Sequence, residues 1–194
     1  TNLIFTTAIT RKFSAKFTNK TGITYTKMYY DMDMNLAPHQ MHPMELISQG
    51  KGNTDLISGY TSSSIGISEQ VTLNVGVNAQ VLTLNNSWTL EPRAGIKWQF
   101  SPKSSFALAY GLHSRMEKMD VYFVKTQGTG DRSVNKDLGF TRAHHVMLSY
   151  GFKVSDNMNM KIEPYFQQLY DVPVISDSSY SVLNRRDFYV ENAL

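Results

Sequence analysis

The stretch SFALAYGLHSR, Ser105 to Arg115, decides the fold class. Its bulky apolar side chains stand at every second position, and small or polar side chains fill the positions between them. The apolar set is Phe106, Leu108, Tyr110 and Leu112. Because successive side chains of an extended chain point to opposite faces, this period of two predicts a β-strand with one apolar and one polar face. A sheet built from such strands is wet on one side only.

The same alternation continues in both directions along the chain. It is clear in four further segments, Val71 to Thr83, Arg93 to Phe100, His144 to Val154 and Asn159 to Tyr170. It is less regular in Leu3 to Ile9, Phe17 to Met34 and Leu56 to Ser68. Pro164 cannot donate to a strand ladder, so we expect a bulge or an unpaired position there. The pattern predicts an all-β chain in which about eight or nine antiparallel strands form an up-and-down meander.

The predicted connections mostly alternate in length. Short turns are expected near Ser14 to Lys16, Ser68 to Gln70, Ser101 to Ser104 and Ser155 to Asn157. Longer connections are expected at Asn35 to Thr54, Met116 to Leu138 and Val172 to Asn184, with one tight exception at Asn85 to Ser87. Short turns on one side and long loops on the other are typical of outer-membrane β-barrels. The strands also mostly have the length, about 9 to 11 residues, that a tilted membrane strand needs, so we predict part of a transmembrane β-barrel.

Seven aromatic side chains are candidates for the interfacial girdles of such a barrel. Amphipathic rings favour the level of the lipid headgroups, where one end of the ring is apolar and the other is wet. The candidates are Tyr29, Tyr30, Trp88, Tyr110, Tyr150, Tyr165 and Tyr170.

The composition excludes several classes of protein. The chain has 194 residues, 19 Lys and Arg against 16 Asp and Glu, and no cysteine. The lack of cysteine removes disulfide scaffolds, thiolate metal sites and cysteine nucleophiles. No basic run is dense enough to indicate a nucleic-acid partner, and no apolar run reaches the roughly 18 residues of a membrane helix. The chain begins at Thr1 with no leader sequence, so we expect a segment of a longer protein.

The string LTLNNSWTLEPRAGIKWQFSPKSSFALAYGLHSR, Leu82 to Arg115, closely resembles a stretch of TonB-dependent receptors of the Bacteroidetes type. The resemblance continues in DLGFTRAHHVMLSY, Asp137 to Tyr150, and in KIEPYFQQLYDVP, Lys161 to Pro173. The string SSYSVLN, Ser178 to Asn184, is similar to part of a late loop. Within these matches the strings EPRAG and AYGLHSR are the specific ones, whereas the chain before Leu56 matches only in general pattern.

The resemblance implies a transporter of the bacterial outer membrane. In such receptors a barrel of about 22 strands surrounds an N-terminal plug, and TonB of the inner membrane supplies the energy for uptake. On this view residues 1–194 form one partial barrel domain, without a plug or a TonB-contacting segment. The implied partners are membrane lipid, the plug, TonB and a nutrient ligand whose identity stays open.

The loop PHQMHPME, Pro38 to Glu45, is the strongest candidate for a metal or cofactor site. Its histidines and methionines suit copper or haem, because both residue types are soft or borderline ligands. They are His39, Met41, His42 and Met44. A polar external loop kept irregular by its prolines explains the same residues, and we prefer that interpretation. We therefore expect no metal and no cofactor. His144 and His145 point to opposite faces of a strand, so they do not chelate one ion together.

The charged residues of the polar faces have mixed signs, which suits the water-filled or plugged interior of a barrel. They are Arg93, Lys97, His113, Arg115, His145, Lys153, Lys161 and Glu163. The solvated face of a soluble sheet would carry the same charges.

No motif brings a nucleophile together with a base, so we expect no enzyme. The triplet Asn19 to Thr21 fits the N-glycosylation pattern, but so short a motif often occurs by chance. The segment QGTGD, Gln127 to Asp131, has the glycines of a phosphate loop without its lysine and is interpreted as a flexible loop.

Three functions fit these features. The first is a receptor for energy-coupled uptake, the second an outer-membrane or surface β-protein with an adhesive or structural role, and the third a soluble β-sandwich that binds a ligand. A sandwich buries its apolar faces against each other and stays monomeric without detergent. A barrel segment exposes those faces and its edge strands, and aggregates. A plug and a TonB-contacting segment encoded upstream of Thr1 would separate uptake from adhesion.

Overall fold

The alternating segments form one antiparallel sheet of nine strands. A computed structural model of the chain describes residues 1–36, 45–125, 133, 135–175, 178–181 and 191–192. The strands are β1 Asn2–Ser14, β2 Phe17–Leu36, β3 Glu45–Gly66, β4 Val71–Leu82, β5 Ser87–Ser101, β6 Ser104–Arg115, β7 Thr141–Ser155, β8 Met158–Ile162 and β9 Tyr165–Tyr170. Each strand from β1 to β8 pairs with the next, and β9 also pairs with β7. The predicted all-β, up-and-down meander is confirmed.

Little regular structure lies outside this sheet in the described ranges. One turn of helix, α1 Met119–Tyr122, follows β6. A small three-stranded sheet contains β10 Pro173–Ile175, β11 Ser178–Ser181 and β12 Glu191–Asn192. No helix among the described residues has the length and apolar character needed to cross a bilayer.

The short turns lie where the sequence predicts them, but the long connection between β2 and β3 is shorter than expected. Of the predicted loop Asn35 to Thr54, residues 45–54 belong to β3, and pairing with β2 continues as far as Leu36 and Glu45. Residues 45–54 lack a clear apolar alternation, which is why the pattern missed them. A backbone ladder needs no side-chain pattern, so β2 and β3 continue as a paired arm beyond β4, which ends at Leu82.

Pro164 interrupts the last long segment, as predicted. Both β8 and β9 pair with β7, and Glu163 and Pro164 between them belong to neither strand. The carbonyl oxygen of Pro164 still accepts a hydrogen bond from the Leu148 amide at 3.0 Å. The proline therefore removes only the donor side of the ladder at this point.

The two faces of the sheet differ in chemistry, and the apolar face is uncovered. Many large apolar side chains on this face are between 37% and 74% exposed. Representative ones are Phe5, Ile9, Ile23, Ile57, Val75, Ile96, Trp98, Leu108, Val146 and Leu148. Packing against a second layer would hide most of this area, as in a soluble sandwich. The buried apolar cluster lies instead on the polar face, at the end of the sheet with the long connections.

The predicted girdle residues divide between the two faces. The apolar face carries Tyr29, Trp88, Tyr110, Tyr150 and Tyr170. Tyr30 lies on the polar face, where its ring centroid is 4.7 Å from that of Phe123. Tyr165 also faces the polar side, because it pairs with Met147 on β7. Girdle residues face outward, so Tyr30 and Tyr165 do not fit the girdle prediction.

Candidate functional site on the polar face

A hollow of about 820 Å³ lies on the polar face, and we call it the trough. It spans β2 to β7 and reaches β9. Its floor is formed by residues with little or no side chain in two adjacent cross-strand rows. These are Gly76 on β4, Gly95 on β5, and Ala109 and Gly111 on β6. Larger side chains rise around them, so the hollow follows from the sequence of small residues.

The trough is lined by cationic side chains, one of which, Arg93, pairs with the buried Glu91 beside it. Lys20 and Arg93 line it with cationic groups, and no Asp or Glu belongs to its described lining. His113 and His145 add two imidazoles whose ring centroids are 4.7 Å apart in an edge-on arrangement. The His113 ring lies over Gly111, where a Cβ atom would come within 2.8 Å of Nε2. The trough therefore suits anionic groups and hydrogen-bonding groups.

A buried carboxylate lies beside the trough and joins strands β4, β5 and β6 by hydrogen bonds. Glu91 on β5 is 1% exposed. Its Oε2 accepts hydrogen bonds from Arg93 at 2.7 Å and from Asn78 at 3.2 Å. Its Oε1 accepts from Gln80 at 2.5 Å, from the Ser114 hydroxyl at 2.5 Å and from the Ser114 amide at 3.2 Å. A buried charge is tolerated only with such partners, so this network fixes the wall between β4 and β6.

The place of Glu91 follows from its neighbour Pro92. Backbone pairing of β5 with β6 ends at Arg93 and Gly111, directly beside Pro92, which has no amide hydrogen to donate. Beyond this point the Glu91 side chain accepts the Ser114 amide of β6. The carboxylate thus continues the link between the two strands where the backbone ladder stops.

The connection between β6 and β7 folds over one end of the polar face, and we call its described residues, 116–125 and 135–140, the cap. The carbonyl of Phe123 accepts from the Gln49 amide of β3 at 3.3 Å, and the carbonyl of Asp120 accepts from the Ser48 hydroxyl at 3.1 Å. The amide group of Asn85 donates to the Leu138 carbonyl at 2.7 Å. The cap and strands β2 and β4 share a buried cluster of Met28, Leu82, Val121, Tyr122, Phe123, Leu138 and Phe140.

Polar contacts inside the cap are also buried. The Glu117 amide donates to the Tyr122 hydroxyl at 3.2 Å, and the Thr141 hydroxyl donates to Glu117 Oε1 at 2.6 Å. Burial raises the pKa of Tyr122, because the phenolate would lose its hydration. The ring therefore stays neutral within the cluster at physiological pH.

Replacing Gly50 by valine is expected to loosen the cap. Phe123 packs directly on Gly50, and a Cβ atom there would lie 2.7 Å from its Cδ1 atom. Overpacking of this kind costs about 1–3 kcal/mol, so amide exchange of residues 119–125 is expected to rise about tenfold or more. Hydrogen exchange with mass spectrometry measures this. Gly59→Val is the matched control, since nothing lies within 4 Å of a Cβ there. Equal exchange in both variants would contradict the packing of Phe123 on β3.

The structure brings together only some of the residues that the sequence analysis selected. Arg93, His113 and His145 meet at the trough. Lys153 and Lys161 line a smaller hollow of about 330 Å³, and Lys161 pairs with Glu163 at 2.6 Å. Lys97 and Arg115 are exposed on the same face outside the trough.

Other candidates lie elsewhere. His144 and His145 lie on opposite faces, as the alternation predicts, and His144 stacks on Tyr170 with centroids 4.9 Å apart. The triplet Asn19 to Thr21 lies within β2. The loop residues His39, Met41, His42 and Met44, and the segment QGTGD, lie outside the described residues. No cluster of three potential metal ligands occurs in the described part of the chain.

Sequence reasoning missed Glu91 and Lys20. The signal for Glu91 was a carboxylate directly before a proline inside a predicted strand, where the ladder loses a donor. Lys20 carries no comparable signal, because it stands in an irregular segment of the pattern.

Compared with known proteins, the sequence matches no family model and no curated protein.

Proposed function

We propose that this chain forms a section of the wall of an outer-membrane β-barrel, in a TonB-dependent receptor that takes up a nutrient ligand. The observation that carries the proposal is the uncovered apolar face of a long meander whose other face holds a charged trough. In a membrane barrel the apolar face contacts lipid, and the polar face lines a lumen.

The strand lengths support a membrane location. Strands β4 to β7 contain 12, 15, 12 and 15 residues. A tilted strand crosses the hydrocarbon core with about 9 to 11 residues, whereas strands of soluble proteins usually have about 5 or 6. A surplus of this size would bring the strand ends to the two interfaces. The exposed aromatic side chains Trp88 and Trp98 lie at opposite ends of β5.

The receptor assignment rests on the resemblance of Leu82 to Arg115, and the trough gives that stretch a physical role. It covers β5 and β6, which supply Glu91, Arg93 and His113 to the polar face. A polar wall with cationic side chains that faces the lumen is suited to hold a polar occupant, such as the plug that the resemblance implies. In the whole receptor the described cap would narrow one end of this lumen.

The two tryptophans give a direct test of the membrane location. They are the chain's entire set, and they are 65% and 50% exposed on the apolar face. In bilayers that contain lipids brominated at different depths, both are expected to be quenched, most strongly by bromines near the headgroups. The variants Trp88→Phe and Trp98→Phe leave one reporter each and serve as mutual controls.

Size measurements complete the test. The chain is expected to aggregate in buffer and to be dispersed by detergent, because its apolar face and edge strands are exposed. A sharp monomer without detergent, together with unquenched tryptophans, would overturn the membrane location and favour a soluble sandwich.

A further inference from the structure

A group of polar side chains interrupts the apolar face of β1, β2 and β3, and we call it the polar island. It consists of Arg11, Asn19, Thr21, Thr61 and Ser63. Arg11 pairs with Asn19, which pairs with Ser63, and Thr21 pairs with Thr61 in the next outward-facing row. Their neighbours on the same face, Ile9 on β1 and Val75 on β4, are apolar. A polar group of this size in an otherwise lipid-compatible face calls for a binding partner.

The island is held in one arrangement by its own hydrogen bonds. The Asn19 amide donates to the Thr61 hydroxyl at 3.0 Å and to the Ser63 hydroxyl at 2.9 Å. The Thr21 hydroxyl donates to Asn19 Oδ1 at 2.9 Å and lies 3.0 Å from the Thr61 hydroxyl. Each hydroxyl is thereby positioned while Thr21 and Thr61 remain exposed. The island therefore presents a prearranged polar surface.

Arg11 adds a positive charge at the edge of this surface. Its guanidinium lies 4.7 Å from the ring centroid of Phe13, which stacks on Phe17 with centroids 5.0 Å apart. Among the described residues, no carboxylate lies within ion-pair distance of Arg11. Its hydrogen-bond donors are directed neither to a carboxylate nor into the sheet, so they are available to an anion.

The position of the island fits the level of lipid headgroups. Lys27 and Asp55, whose charged atoms are 3.9 Å apart, mark the opposite end of the apolar face on β2 and β3. The ten-residue span from Phe17 to Lys27, tilted as in a barrel, covers about 25 Å, the height of the apolar band. Asn19 then lies about 5 Å inside the band, close to the boundary at the short turns. From there the long side chain of Arg11 reaches the headgroup region.

We propose that the polar island binds the phosphate of a phospholipid headgroup, a proposal that rests on the proposed membrane location. The Arg11 guanidinium pairs with two phosphate oxygens, which is the geometry that this planar group favours. The Ser63 hydroxyl accepts from the Asn19 amide and keeps its own hydrogen, so it supplies a further donor. The shared chemistry is that of a phosphate anion, and the membrane lipid is its source.

The test measures lipid retention by the chain in uncharged maltoside micelles, with phosphatidylglycerol as the probe and native mass spectrometry as the readout. Arg11→Ala is expected to weaken retention about tenfold, since a hydrogen-bonded charge pair contributes about 1.5–3 kcal/mol. Lys12→Ala is the matched control, because Lys12 is the next residue on β1 and points to the polar face. It is expected to retain the lipid within about twofold of the unchanged chain.

Two comparison compounds identify the ligand chemistry. Diacylglycerol with the same acyl chains lacks the phosphate and is expected to bind equally weakly to all variants. Inorganic phosphate is expected not to displace the lipid at concentrations where phosphatidylglycerol saturates; full displacement would overturn the lipid as the source. A second variant, Asn19→Leu, removes the amide that organises the hydroxyls and is expected to weaken retention as well.

The failure of this proposal is distinguishable from failure of the membrane location. If the tryptophans are quenched by brominated lipids in every variant while Arg11→Ala and Lys12→Ala retain lipid equally, the island does not bind phosphate although the sheet lies in the membrane. If no variant shows quenching, the membrane location itself is wrong and this proposal is overturned with it.

Discussion

Replacing Leu148 by lysine is expected to destabilise the bilayer-inserted chain by about 2–4 kcal/mol, whereas Met147→Lys is expected to cost less than about 1 kcal/mol. Leu148 lies near the middle of β7 on the apolar face and is 38% exposed, and Met147 precedes it on the polar face with 41% exposure. Both are apolar and equally accessible, so only the medium that each face meets distinguishes them. A lysine in hydrocarbon loses its hydration, and a lysine in the trough keeps it.

The measurement is reversible urea unfolding from lipid bilayers, followed by tryptophan fluorescence. The difference between the two variants is the informative quantity, because changes in strand propensity are the same for both substitutions. Equal costs would show that both faces meet water, and this would contradict the membrane location.

Glu91→Ala is expected to have the second large effect, a loss of about 3 kcal/mol in the free energy of unfolding. The substitution leaves donors of Asn78, Gln80 and Ser114 without their common acceptor and leaves Arg93 without its counter-charge. Breaking a buried pair costs about 3–5 kcal/mol, and the lower end applies because the Arg93 side chain is 48% exposed. Urea unfolding in micelles measures the loss.

A second substitution of Glu91 separates the effect of its charge from that of its shape, and a substitution of Glu163 is the control. Glu91→Gln keeps the shape of the side chain but replaces one acceptor oxygen by an amide nitrogen, which would face other hydrogen-bond donors. A loss of about 1–2 kcal/mol in the free energy of unfolding is therefore expected. Glu163→Ala is the matched control, because Glu163 also precedes a proline and also pairs with a cation, but Glu163 and Lys161 are both exposed. Its pair is worth less than about 1 kcal/mol. Equal losses for Glu91→Ala and Glu163→Ala would show that the buried network adds nothing.

The strands were predictable because their cause is local. In β6, Phe106, Leu108 and Tyr110 alternate with smaller residues, because successive side chains of a strand point to opposite faces and the two faces of this sheet differ in chemistry. The extension of β3 from Glu45 to Thr54 was not predictable in this way. Its glycines, Gly50 among them, carry no apolar alternation, and it is held by the ladder to β2 and by the ring of Phe123.

The site was less predictable than the fold, because it joins residues that are far apart in the chain. Arg93, His113 and His145 could be assigned to the polar face one by one, but their convergence depends on the register of three strands. Lys20 enters the same trough from β2, which no local pattern indicates. The cap was interpreted as a loop for the same reason. Its buried side chains, such as Tyr122, meet partners on β2 and β4 rather than neighbours in sequence.

The tight connection between β4 and β5 limits where residues can be inserted into the chain. It is the one short turn at the end where the other connections are long, and Asn86 adopts a positive φ of 57° there. Residues 136–138 of the cap lie against this turn, where the side-chain amide of Asn85 donates to the carbonyl oxygens of Lys136 and Leu138 at 3.1 and 2.7 Å. Inserted residues at 83–86 would occupy the path of the cap. Tags and grafted peptides in this turn are therefore expected to disturb its contact with the cap.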